Sequence, residues 1–165
     1  MNQGQLSQQQ VIFMSILLPS LFLVIGTMLF ISYASQYGPG HFAPIELIYY
    51  ISRFSPFAFG TWAGLMWSGS HPRAYILIGL CIGSMDLTAL LIAVLAIYGS
   101  LTFGAAGWIE HISYHFLPPI GLFASGGIFG DFVEDRMGER ATTYVLGLVT
   151  AAVTALGTII TTLLQ

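Results

Sequence analysis

Ala74-Tyr-Ile-Leu-Ile-Gly-Leu-Cys-Ile-Gly-Ser-Met-Asp-Leu-Thr-Ala-Leu-Leu-Ile-Ala-Val-Leu-Ala-Ile-Tyr98 is the stretch whose reading decides the fold class, and Asp86 is its only charged residue. As a helix rising 1.5 Å per residue it spans roughly 37 Å, enough to cross a bilayer core of about 30 Å with some tilt. A carboxylate at mid-depth in such a helix is costly, so it faces protein or water and takes a partner.

Composition agrees with a membrane chain. The 165 residues are 56% hydrophobic and 7% charged, against about 25% charged in soluble domains. The four basic residues are Arg53, Arg73, Arg136 and Arg140, and the formal net charge is −3. That leaves no basic patch for nucleic acid. One cysteine, Cys81, excludes an internal disulfide and a thiolate metal cluster.

Outward from Asp86, the hydropathy pattern gives one membrane domain over 1–165, an all-α polytopic integral membrane helix bundle. Spans are expected at 11–33, 45–67, 74–98, 116–133 and 141–164. The first ten residues read as a short polar tail. Val11 to Tyr33 is expected to be a retained anchor rather than a cleaved signal, because no Lys or Arg precedes its long apolar run. Gly and Pro mark a loop from 34 to 44. Ile109 to His115 reads as a short interfacial helix, and Pro118-Pro119 as a bend or start of the fourth span. Asp131 to Arg140, with four acids and two arginines, reads as a solvated turn. With five spans, Arg73, Arg136 and Arg140 fall on the same side as the N-terminus. The positive-inside rule then puts the N-terminus in and the C-terminus out, in a cell (plasma) membrane. Trp62, Trp67 and Trp108 fall near expected interfaces.

The first candidate site is an intramembrane charged pair, Asp86 with Arg53. On the second span Arg53 lies within about 5 Å of Asp86 in depth, a gap a guanidinium can close. Gly79, Gly83, Asp86 and Ala93 share one helix face; Glu46, Tyr49, Arg53, Phe57, Gly60 and Gly64 form a stripe on the second span. Such a pair serves either as a relay or as a buried tie between two helices.

The second candidate is a metal or cofactor site from outer-side residues His41, Glu46, Glu110, His111 and His115. His111 and His115 are four apart and share a helical face, and a third and fourth ligand could come from the others. No metal or haem is required by the sequence, and which metal such a site would take is left open.

Ala124-Ser125-Gly126-Gly127-Ile128-Phe129-Gly130 resembles, over seven residues, the nucleophile segment of rhomboid proteases. That resemblance implies a serine nucleophile, yet no histidine follows Ser125, and without its base a serine is an ordinary hydroxyl. Small residues at 124–127 also suit helix packing, as does the stripe Gly147, Ala151, Thr154 and Thr158.

The sequence therefore points to a multi-span protein without autonomous catalysis. The leading expectation is an accessory subunit of a larger membrane assembly, with the bilayer and other membrane subunits or further copies as partners. A small transporter or channel component with an Asp86/Arg53 relay is the alternative, followed by a redox or metal- or haem-binding subunit.

Overall fold

The computed structural model describes residues 7–37, 44–67, 71–101 and 104–163. Among them every regular element is helical: α1 (Gln8–Tyr37), α2 (Pro44–Met66), α3 (Pro72–Tyr98), α4 (Ala105–His111) and α5 (Leu117–Leu163), with a π-helical turn over Ile112–Phe116 joining the last two.

Local chemistry explains the starts and stops. Ser7 and Gln10 cap α1 reciprocally: Gln10 N–H donates to Ser7 Oγ at 3.3 Å and Ser7 N–H to Gln10 Oε1 at 2.8 Å. The helix thus begins in the stretch expected to be a polar tail, and it runs on to Tyr37. Pro44 and Pro72 open α2 and α3, where a missing N–H costs nothing. Gly99 closes α3 in the left-handed region, φ 70°, its N–H donating to Leu95 at 2.9 Å.

Among the described residues, three helical segments are long and apolar enough to cross a membrane: Gln8–Tyr37, Pro72–Tyr98 and Ala105–Arg136. α2 has the length, at 23 residues, but carries Glu46 and Arg53 and packs on both α1 and α5.

Two expectations change here. The interfacial helix and fourth span are one helical path from Ala105 onward. Pro118-Pro119 is absorbed because the π-turn immediately precedes it, widening the backbone where the two prolines withhold donors from the Tyr114 and His115 carbonyls. The turn expected at Asp131 to Arg140 is helical throughout. Its Glu, Asp, Arg and Met residues are polar or flexible but contain no proline, and polarity alone does not stop a helix.

Leu23, Phe59, Ala63, Tyr75, Ile82 and Phe123 are buried together in the main apolar cluster between the helices. α2 and α5 approach at backbone contact through glycines. A Cβ on Gly60 would strike the Phe123 carbonyl, and one on Gly126 the Phe57 carbonyl; Gly64 and Gly130 interlock in the same way further along. α3 meets α5 through Gly79, where a Cβ would sit 2.8 Å from Ile120 Cα, and Gly83, at Phe116. Trp67, expected near an interface, is buried beside Tyr75, ring centroids 5.8 Å apart. By contrast Gly147 faces open space, so the small-residue stripe of the C-terminal part is not filled there by this chain.

Candidate intramembrane charge site

Asp86 lies on the buried face of α3 with Gly79, Gly83 and Ala93 and is 0% exposed. Three other helical elements converge on it. From α2, Arg53 Nη1 makes an ion pair with Oδ2. From α1, Thr27 Oγ1 donates to Oδ1 at 2.7 Å. From the π-turn, His115 brings Nδ1 to 3.1 Å from Oδ2. The two carboxylate oxygens are therefore both engaged, which is the condition for tolerating a charge at this depth.

Arg53 is the hub. Its Nη2 lies 3.0 Å from Thr27 Oγ1, 3.0 Å from Tyr49 Oη and 2.7 Å from His115 Nδ1. Two hydrogens on Nη2 face three acceptors, so the site is over-subscribed in acceptors. Nε of Arg53 is buried with no partner among the described residues. The guanidinium also stacks 4.5 Å from the Tyr49 ring centroid, and Phe30 covers Tyr49 at 4.3 Å. Tyr49 is thus held between a cation and an aromatic ring.

His115 decides the chemistry. A bare Nδ1 accepts from Arg53; a protonated Nδ1 donates to Asp86. One nitrogen cannot do both, and the shorter contact is to Arg53, which requires the lone pair. The proton of the neutral ring is then on Nε2.

The site is not sealed. A cavity of about 530 Å³ runs from His115 and Tyr49 to Glu110, His111, Tyr98 and Ser100 near the ends of α3 and α4. Both Nδ1 contacts leave Nε2 as the nitrogen available to this cavity.

Asp86 and Arg53 are brought together, as the depth arithmetic expected. Of the outer-side set, Glu110, His111 and His115 line the same cavity, and His115 also belongs to the charge site, although the sequence placed it with residues near the loops. His111 stays at the cavity mouth, its ring 6.1 Å from that of His115, and Glu46 opens α2. His41 lies outside the described residues. Among the described residues no three His, Cys, Asp or Glu side chains stand where they could hold one metal ion. Ser125 is exposed and donates to the Leu122 carbonyl of its own helix at 3.1 Å.

Sequence reasoning missed Thr27, Tyr49 as a ligand of Arg53, and His115 as a ligand of Asp86. A signal for His115 was present: it stands four residues before Pro119, where a helix must deform.

No protein-family model matches this chain, and neither does any curated protein or solved structure.

Proposed function

We propose that this chain is a small proton-linked transport component of a cell membrane, in which Asp86, Arg53 and His115 form the relay. The observation that carries this reading is His115 Nδ1, set between Arg53 and Asp86 at the floor of an open cavity. A proton handed from Asp86 to Nδ1 exchanges the Nδ1 partner from Arg53 to Asp86, while Nε2 gives its own proton to the cavity; transfer toward Asp86 runs the same steps in reverse, from the ring protonated at Nδ1. One proton moved across the ring links the cavity to the buried carboxylate, and the ring ends neutral. A purely structural ion pair needs neither the third titratable group nor the cavity.

Orientation draws support from the arginines. Arg73 precedes Tyr75, and Arg136 follows Asp131, the residue to which Tyr75 bonds, so both lie toward the end remote from the cavity. The positive-inside rule makes that end cytoplasmic and opens the cavity outward, with the N-terminus inside. A fifth crossing by 141–164, C-terminus out, would require the helix to turn back in the bilayer near Gly138.

The test is proton flux in liposomes containing the purified chain and a trapped pH dye. Asp86→Asn should abolish flux while the protein remains monodisperse and helical. Undiminished flux would sink the reading.

A second reading, an accessory subunit of a larger membrane assembly, draws on a different observation. Past Arg136 the helix continues to Leu163, with Tyr144 79% and Leu148 73% exposed and Gly147 uncovered. An apolar surface of that kind suits another membrane subunit or a second copy. Purification in mild detergent, with co-purifying chains identified, separates this reading from the first.

A further inference from the structure

The relay above ends at Asp86, well short of the cytoplasmic end of the bundle, and a second buried carboxyl stands on that side. Asp131 is 6% exposed. Its Oδ1 accepts from Tyr75 Oη at 2.6 Å, and its Oδ2 is buried with no partner among the described residues. Tyr75 itself is fully buried. On α3 it precedes Asp86 by about 16 Å along the axis, at 1.5 Å per residue. The sequence placed Asp131 in a solvated turn; its burial at a helix–helix contact needs a different explanation. No arginine pairs with it among the described residues. The groups facing it are Tyr75 from α3, the Gly64 backbone from α2, and Glu134 on its own helix.

Between the two carboxyls lies the apolar seal of Leu23, Phe59, Ile78, Ile82 and Phe123. Gly79 and Gly83 bring the α3 backbone directly against Ile120 of α5 and Phe116 of the π-turn. The α1 and α2 helices differ. Their buried hydroxyls Ser55, Ser20 and Ser15 all lack a partner among the described residues. On α1, Ser20 and Ser15 stand about 10 and 18 Å below Thr27, which bonds to Asp86. Pro19 also leaves the Ser15 carbonyl without its helical donor, and Pro56 does the same for Ser52. Unpaired buried polar atoms are costly, and these three, Ser20 on the α1 face of Thr27, Ser15 on that of Gly26 and Ser55 on α2, offer partners to entering water.

We propose that Asp131, held by Tyr75, is the inner proton site of the same path, joined to Asp86 by water that enters the bundle past the hydroxyls of Ser55, Ser20 and Ser15. The proposal rests on the relay reading. For each proton Asp86 releases into this file, Asp131 gains one at Oδ2 and gives one to the inner solution; no electron moves.

Flux in liposomes tests it, with Asp86→Asn and Asp131→Asn measured side by side. Asp86→Asn should abolish proton flux and Asp131→Asn lower it roughly a hundredfold, the lower range for removing a positioned acid–base group. If Asp86→Asn abolishes flux and Asp131→Asn leaves it at the wild-type rate, the inner site is wrong and the relay stands. If neither variant lowers flux, the relay falls and the inner site with it.

Should Asp131→Asn fail to fold, the wild-type chain decides. Dicyclohexylcarbodiimide, an apolar reagent for protonated carboxyls, should modify Asp131, mapped by peptide mass, and block flux in proportion. Full modification of Asp131 with flux intact overturns the proposal, as does the absence of modification at any internal pH.

Discussion

His115 Nδ1 lies 2.7 Å from Arg53 Nη2. Two donors cannot meet at that distance, so the imidazole offers a lone pair to the guanidinium and carries its proton on Nε2. Nitrogen-15 NMR of histidine-labelled protein in lipid should show the neutral His115 ring with Nδ1 bare and Nε2 protonated. A dominant Nδ1–H signal would contradict the assignment.

Arg53→Lys should be far from conservative. Arg53 contacts Asp86, Thr27, Tyr49 and His115 through two nitrogens and stacks on a ring, whereas an ammonium is a single point. A loss of about 1–3 kcal/mol is expected, the scale of a buried group left unsatisfied. Thermal unfolding in detergent reads it as a fall in midpoint. Restoration of the wild-type midpoint by lysine would show that charge alone suffices.

Removing the carboxylate should cost more than neutralising it. Asp86→Ala strands Arg53 in the interior, for which about 3–5 kcal/mol is the expected penalty. Asp86→Asn keeps an acceptor for Arg53 and should fall between Ala and wild type. Equal stability of the two variants would argue that the buried charge, not the hydrogen bonding, sets the cost.

Thr27→Val is close in shape to the native residue but loses the donor to Asp86 Oδ1 and the acceptor for Arg53 Nη2. It should destabilise by about 1–3 kcal/mol, since two buried polar groups lose a partner. Thr27→Ser keeps both contacts and should lie near wild type. The comparison isolates the hydroxyl from the methyl.

At Gly60 or Gly126, alanine should be destabilising by about 1–3 kcal/mol or more, because the added Cβ meets backbone that has no rotamer to yield. Gly121→Ala, inside α5 with nothing within 4 Å of the new atom, serves as the control and should stabilise by up to about 1 kcal/mol in the same unfolding assay.

These sites differ in how far they could be read from the chain alone. The charged pair was legible because two opposite charges in apolar stretches stand at matching depth, and the face of Gly79 and Gly83 said which way Asp86 points. The glycine contacts of α2 and α5 were legible as small-residue stripes. His115 was not: a period of 3.6 residues projected back from α5 gives the wrong phase, since a π-turn intervenes. Thr27 was hidden for another reason, that one hydroxyl in a long apolar helix bonds its own backbone as readily as a neighbour. Asp131 was misplaced because the acids and arginines around it look like a loop. Helix continuity there follows from the absence of a breaker, a weaker signal than polarity.

The glycine contacts also limit how the bundle can move. With Gly60 against Phe123 and Gly126 against Phe57, α2 and this part of α5 are keyed together at the main chain, and sliding one past the other would drive carbonyls into Cα atoms. They behave as one stiff blade. Gly79 and Gly83 key α3 to Ile120 and Phe116 in the same way, which leaves α1 as the helix least bound at the main chain, tied to the charge site through Thr27.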